Sequence, residues 1–221
     1  MSAMNQRFTK STTVLGVLSA TALSVSMFGF GNTQTQVNTD SAAVAKVGQA
    51  APNFTLTDAE GVEHTLEEYT AKGQTVVLEW FSPMCPFVKK HYTEDTQTML
   101  NIQAEHKDEP VVWLRVNSAK ASHPSTGAKA NKAAAENWGI TTPILLDPTG
   151  EVGMSYGAKR TPEMYIIDSS GTLVYHGAID NRPDAQAPGD VNYVNDALTQ
   201  TLAGESVSKS TSKAYGCSIK Y

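Results

Sequence analysis

Thr75-Val-Val-Leu-Glu-Trp-Phe81 is an almost continuous apolar run, broken by Ser82-Pro-Met and followed at once by Cys85-Pro86. A run of that composition reads as a central strand covered on both faces. Such a strand needs helices above and below its sheet, which confines the chain to a layered α/β architecture. Proline is favoured in the first turn of a helix, where its missing N–H has no partner to lose. Cys85 is therefore expected to open a helix directly after the strand. That helix extends towards Asp108, with Phe87, Tyr92, Met99 and Ile102 on one face. Free backbone N–H groups at a helix start stabilise an anion, and the thiolate is the nucleophilic form of cysteine. Lys89, four residues on, either adds a cation on the same face or is simply solvated. Lys90 reads as solvated.

Strand-like and helix-like segments alternate along the rest of the chain. Phe54 to Asp58 and Val62 to Leu66 flank a turn at Ala59-Glu60-Gly61, as in a hairpin. Val111 to Val116 is a second buried strand, and Ala128 to Trp138 a helix stopped by Gly139. Ile144 to Leu146 is a short strand and Val152 to Tyr156 a helical turn. Met164 to Ile167 and Leu173 to His176 form an antiparallel hairpin around Asp168-Ser-Ser-Gly171. Asp190 to Leu202 is a last helix with Asp190 as its cap, and the tail from Gly204 has the composition of a flexible segment. The expected fold class is an α/β sandwich: a central mixed β-sheet with helices on both faces.

The ends of the chain bear on where it works. Met1 to Lys10 is polar and basic, and Val14 to Phe30 is a short apolar run interrupted by four hydroxyl residues. Residues 1–31 thus read as a secretory signal or a retained N-terminal anchor, and 32–46 as a linker. The protein is expected to be exported, periplasmic or otherwise extracytoplasmic, and to touch a membrane only if that segment is kept. Arg7 and Lys10 leave with it, so the formal net charge moves from −5 to −7. That balance argues against nucleic acid as a partner. Two cysteines, Cys85 and Cys217, are too few for a four-cysteine zinc site or a cysteine-ligated iron–sulfur cluster. The five histidines form no pair at metal-ligand spacing: His64 and His176 fall on strands, His91 and His106 on the long helix, His123 in a loop. Trp80, Trp113 and Trp138 read as core or active-site wall. No metal and no organic cofactor is expected.

Val76-Val-Leu-Glu-Trp-Phe-Ser-Pro-Met-Cys85-Pro-Phe-Val88 resembles the strand and active-site turn of thioredoxin-like proteins. Cys85 matches the first, nucleophilic cysteine of their Cys-x-x-Cys motif. Val88 stands where the second belongs, so local dithiol exchange is closed to this chain. Ser82 fits the Thr/Ser-x-x-Cys of peroxiredoxins, in which the hydroxyl helps orient a peroxide. Leu78 occupies the position of the proline that opens that motif, so the match is partial. Arg160-Thr161-Pro162-Glu163 resembles the cis-proline segment beside the active cysteine, whose preceding backbone pairs with a bound peptide. Glu79 lies where thioredoxins carry a buried acid that shuttles a proton; a strand glutamate facing a solvated pocket is the alternative. Ala51-Pro-Asn-Phe-Thr-Leu-Thr-Asp58 is similar to the opening hairpin of peroxiredoxins and envelope reductases. Cys-Pro-Phe-Val-Lys-Lys-His91 together with Gly-Cys-Ser-Ile-Lys220 resembles a peroxiredoxin-like branch of the redoxin family.

The resemblance covers residues 47–203 as a thioredoxin-like (redoxin) domain and leaves 204–221 as a tail carrying Cys217. It implies a thiol-dependent oxidoreductase with Cys85, Cys217 and Glu79 as catalytic residues. Ser82, Pro83, Lys89, Thr161 and Pro162 would shape the substrate pocket. Cys85 would attack a peroxide or a disulfide, forming in the first case a sulfenic acid that a second thiol must condense. Cys217 is either that resolving thiol or half of a static bridge. An external thiol reductant such as a thioredoxin-like protein would close the cycle. The alternatives are a thiol-disulfide oxidoreductase acting on exported proteins and a non-catalytic thioredoxin-like binding or metal-delivery module.

Overall fold

The computed structural model describes residues 44–221. The expected signal or anchor segment, and all but the end of the linker, lie outside the described residues. The chain runs β1 (Thr55–Asp58), β2 (Glu63–Thr65), α1 (Leu66–Thr70), β3 (Thr75–Trp80), α2 (Pro86–Lys89) and α3 (Thr98–Glu105). There follow β4 (Val111–Asn117), α4 (Gly127–Trp138), β5 (Ile144–Leu146), α5 (Glu151–Tyr156), β6 (Arg160–Thr161) and β7 (Glu163–Ile167). The last elements are β8 (Leu173–Gly177), α6 (Tyr193–Leu202) and β9 (Cys217–Ser218). Seven strands form one sheet in the order β2-β1-β5-β4-β3-β7-β8, and β6 with β9 makes a separate two-stranded ribbon.

The apolar run behaves as its composition demands. All six residues of β3 are buried, between parallel β4 and antiparallel β7. Val76, Leu78 and Trp80 face one core with Leu66 of α1 and Tyr156 of α5. Val77 and Phe81 face the other, with Met99 and Ile102 of α3, Ala134 of α4, and Val194 and Leu198 of α6. Helices therefore cover both faces of a mixed sheet.

Three expectations are corrected. The single long helix after Cys85 is two short ones, α2 and α3, separated by turns that end at Gln97 in a left-handed conformation (φ 43°). The polar stretch Thr93-Glu-Asp-Thr-Gln has little to hold a helix: the Thr96 hydroxyl instead donates to the Lys90 carbonyl at 2.7 Å and holds the turn. Phe87, Tyr92, Met99 and Ile102 still reach one core, but His91 lies in the turn and His106 caps α3 at its C-terminal end. Asp190 does not cap α6; Asn192 does, accepting from the Asn195 N–H at 3.0 Å. The tail is laid along the domain. Its Ser210 carbonyl accepts from the His176 N–H at 3.0 Å, and the Ser212 N–H donates back to His176 at 3.1 Å, covering the free edge of β8.

Candidate functional site

β3 delivers the chain to the Ser82-Pro83-Met84 turn, and Cys85 follows as the N-cap of α2 (φ −87°, ψ 118°) with Pro86 in the first turn. The helix is only four residues long, so its field is that of a single turn. The Cys85 side chain is 2% exposed. Its thiol donates to the carbonyl oxygen of Thr161 at 3.0 Å and meets Cys217 Sγ at 2.8 Å. Both cysteines are free thiols. The Thr161–Pro162 peptide bond is cis, and Thr161 and Pro162 are both buried.

Cys217 reaches Cys85 through backbone pairing. In the antiparallel ribbon Thr161 stands opposite Cys217 and Arg160 opposite Ser218. Gly216 makes the approach feasible: at φ 117° it packs so tightly that a Cβ would fall 2.1 Å from the Thr161 carbonyl oxygen. Burial, then the neighbouring Cys85, pushes the Cys217 thiol up to about 12, against a small opposing effect of Lys220. Cys217 thus keeps its proton at neutral pH.

Two tyrosines fix the tail on either side of Cys217. The Tyr215 hydroxyl donates to Asp180 Oδ1 at 2.5 Å and lies 3.2 Å from His91 Nε2. Its ring lies under the Lys90 ammonium, 4.6 Å from ring centre to nitrogen. The Tyr221 hydroxyl donates to the Ala158 carbonyl at 2.8 Å, and Ile219 packs on the core of the α1–α5 face. Lys90, expected in solvent, is buried: it donates to the Arg182 carbonyl at 2.6 Å and stands 3.7 Å from Asp180. Lys89 is the exposed member of that pair.

A cavity of about 240 Å³ adjoins both sulfurs. Ser82 and Thr161 line it, and Thr161 Oγ1 is buried without a hydrogen-bond partner. Pro83, Lys89 and Pro162 are not among its walls. Glu79 is not among them either. It is buried on the Phe81 side of β3, hydrogen-bonded by the Tyr92 hydroxyl and 3.5 Å from Arg115 Nε. Burial pushes its carboxyl up, with Arg115 and Tyr92 opposing. Sequence reasoning missed His123 and Ser125, which line the cavity from the loop before α4. The Ser125 hydroxyl lies 2.7 Å from His123 Nδ1 and the Ser125 N–H donates to the same nitrogen at 3.2 Å, which fixes the ring in the loop. No pattern in the sequence marks that loop; only the fold brings it beside Cys85. Among the described residues no group of three or more His, Cys, Asp or Glu side chains is placed to hold a metal ion.

Residues 47–176 match the AhpC/TSA family. The chain belongs to the AhpC/TSA family. The thiol-disulfide oxidoreductase ResA of Geobacillus thermodenitrificans (strain NG80-2) is 32% identical over 135 residues, spanning 61% of this chain and 70% of ResA. An uncharacterized conserved protein from Geobacillus kaustophilus has a similar structure, with TM-score 0.71 and 30% identity over 80% of this chain and 92% of its own. A hypothetical protein, SMc02350 from Sinorhizobium meliloti 1021, gives TM-score 0.71 at 26% identity over 80% and 94%. As an AhpC/TSA protein the chain has a thioredoxin-like fold and is a thiol-dependent oxidoreductase.

Proposed function

We propose that this AhpC/TSA protein is a thiol peroxidase for small hydroperoxides, with Cys85 as attacking sulfur and Cys217 as resolving thiol. The observation that carries this reading is the 2.8 Å contact between the two sulfurs, held by the β6–β9 ribbon. With the tail docked, the backbone of Thr161 is already paired, which leaves no room there for a peptide substrate. The 240 Å³ cavity beside Cys85 still admits a small molecule. Cys85 thiolate attacks one peroxide oxygen, expels the other as an alcohol or water, and becomes a sulfenic acid. Cys217 thiol then condenses with it, releasing water and forming the Cys85–Cys217 disulfide. Ser82 and the unpartnered Thr161 hydroxyl orient the peroxide, and the departing oxygen, hydrogen-bonded by His123, takes its proton from solvent water. Two electrons from an external thiol reductant, such as a thioredoxin-like protein, restore both thiols.

Stopped-flow loss of hydrogen peroxide with reduced protein, absent in Cys85→Ser, is the expected result. Mass spectrometry after one equivalent should show a Cys85–Cys217 crosslink. Rapid insulin reduction with peroxide ignored would overturn the reading in favour of exchange on exported protein disulfides, which the name of the ResA relative favours. That second activity requires the tail to leave Thr161. A Cys85 sulfinic acid with Cys217 still free would remove the resolving role. The basic and apolar start of the sequence supports an extracytoplasmic location; among the described residues no helix is long and apolar enough to cross a membrane.

A further inference from the structure

Asn131 lies inside the alanine-rich helix α4, and its side chain is fully buried. Alanine is the better helix former at such a position, and a buried amide is costly unless its polar atoms are paired. Those of Asn131 are paired, and largely outside the helix. Its Nδ2 donates to the Gly127 carbonyl at 2.7 Å and to the Ser125 carbonyl at 3.4 Å. Its Oδ1 accepts from Asn117 Nδ2 at 3.0 Å. Asn117 is the last residue of β4 and is also buried. Its Nδ2 donates to the Ser125 carbonyl as well, at 2.7 Å, and its Oδ1 accepts from the Ala119 N–H at 3.1 Å.

The two amides therefore clamp both ends of the loop that joins β4 to α4, one at Ala119 and the other at Ser125. Ser125 in turn fixes the His123 ring, with its hydroxyl and its N–H both on Nδ1. Nε2 is the ring nitrogen left for a ligand. Between the clamped ends the backbone is a pair of tight turns: the His123 N–H donates to the Lys120 carbonyl at 2.9 Å, and the Thr126 N–H to the His123 carbonyl at 3.0 Å. The clamp also has a fixed relation to the nucleophile. β4 is the parallel neighbour of β3, with Trp80 opposite Val116, and the Phe81 N–H donates to the Val116 carbonyl at 2.9 Å. The strand pair that delivers Cys85 thus carries Asn117 too. Asn117, His123 and Ser125 line the cavity beside Cys85, whereas Asn131 is not among its walls.

We propose that Asn131 is a positioning residue for peroxide reduction: through Asn117 and the Ser125 carbonyl it holds His123 at the cavity wall. The inference rests on the peroxidase reading above and adds to it a residue that touches neither the peroxide nor a sulfur. Without the clamp His123 no longer meets the departing oxygen at one fixed place, and attack by Cys85 slows.

The test uses the full chain, reduced, and compares wild type with Asn131→Ala, His123→Ala and the double variant. Stopped-flow rate constants for hydrogen peroxide should fall about tenfold in Asn131→Ala, the scale of a small misplacement of a reacting group. His123→Ala should fall by at least as much, and the double variant no further than His123→Ala alone, because one effect acts through the other. A wild-type rate in Asn131→Ala, or losses that multiply in the double variant, would overturn the proposal. Asn131→Ser repeats the comparison if the alanine variant does not fold. Side-chain NMR of the histidines reads the clamp without peroxide. The His123 ring signals should shift or broaden in Asn131→Ala, while those of His64, His91, His106 and His176 stay in place. Unmoved His123 signals would overturn the positioning role. Wild type that ignores peroxide would instead remove the peroxidase reading, and the ring signals would still decide whether Asn131 holds His123.

Discussion

Cys217 stands directly across the β6–β9 ribbon from Thr161, the residue whose carbonyl oxygen accepts from the Cys85 thiol. One backbone position therefore registers both sulfurs, and whatever disturbs the ribbon disturbs their meeting.

Gly216→Ala disturbs it most directly. Its new Cβ would lie 2.1 Å from the Thr161 carbonyl oxygen at a backbone angle that L-residues avoid. The ribbon should open while the domain stays folded. After one equivalent of peroxide, quenched-flow mass spectrometry should find the Cys85–Cys217 crosslink formed at least about tenfold more slowly. A wild-type rate would show that the ribbon does not set the encounter.

Tyr215→Phe keeps the ring beneath Lys90 but removes the bond to the buried Asp180 carboxylate and the contact with His91. A hydrogen bond to a charged group is worth about 2 kcal/mol, or roughly thirtyfold in the population of the opened tail. Alkylation of Cys217 in the reduced protein should accelerate by that factor. Circular dichroism should show the domain's own melting little changed.

Glu163 links acidity to the same ribbon. Burial works against its carboxylate, but His176 and the Lys159 and Arg160 N–H groups outweigh it and hold the pKa below its ordinary value. The stabilisation is therefore complete above the unfolded-state value of about 4.3 and is lost as pH falls through the lower folded-state value. Denaturant midpoints should drop across that acidic window in wild type and drop less in Glu163→Gln. Parallel curves for the two proteins would assign the acid sensitivity elsewhere.

Val88→Cys restores the missing half of a Cys-x-x-Cys pair at a fully buried position on α2. Cysteine is smaller than valine, so the site accepts it at a cost of about 1 kcal/mol. Oxidation should now divide between a local bridge, from Cys85 to the introduced thiol, and the Cys85–Cys217 bridge. Insulin reduction should appear with it. Exclusive Cys85–Cys217 pairing in peptide maps would mean that tail docking outcompetes the local thiol.

The strands and their order of burial were legible because β3, β4 and the β7–β8 hairpin bury nearly every side chain, and α4 ends at Gly139 as its sequence indicates. The segment after Lys89 was not. Its apolar spacing suits a helix, yet Lys90 turns inward to Asp180, a partner roughly ninety positions away that periodicity cannot reveal. The tail misled for the same reason: a Ser/Lys-rich composition says nothing of two tyrosines that find acceptors on distant elements. Cys85 and Pro162 could be found by local motif, whereas His123 enters the site only through the packing of its loop.

The separation of 132 positions between the two sulfurs has a consequence for the unfolded chain. Joining them ties most of the domain into one covalent ring that persists after every non-covalent contact is lost. On the chain-entropy model a closure of that size is worth about 4–5 kcal/mol. The oxidised protein should therefore outlast the reduced one in heat and protease, so the electron donor that restores the thiols also returns the fold to its more perishable form.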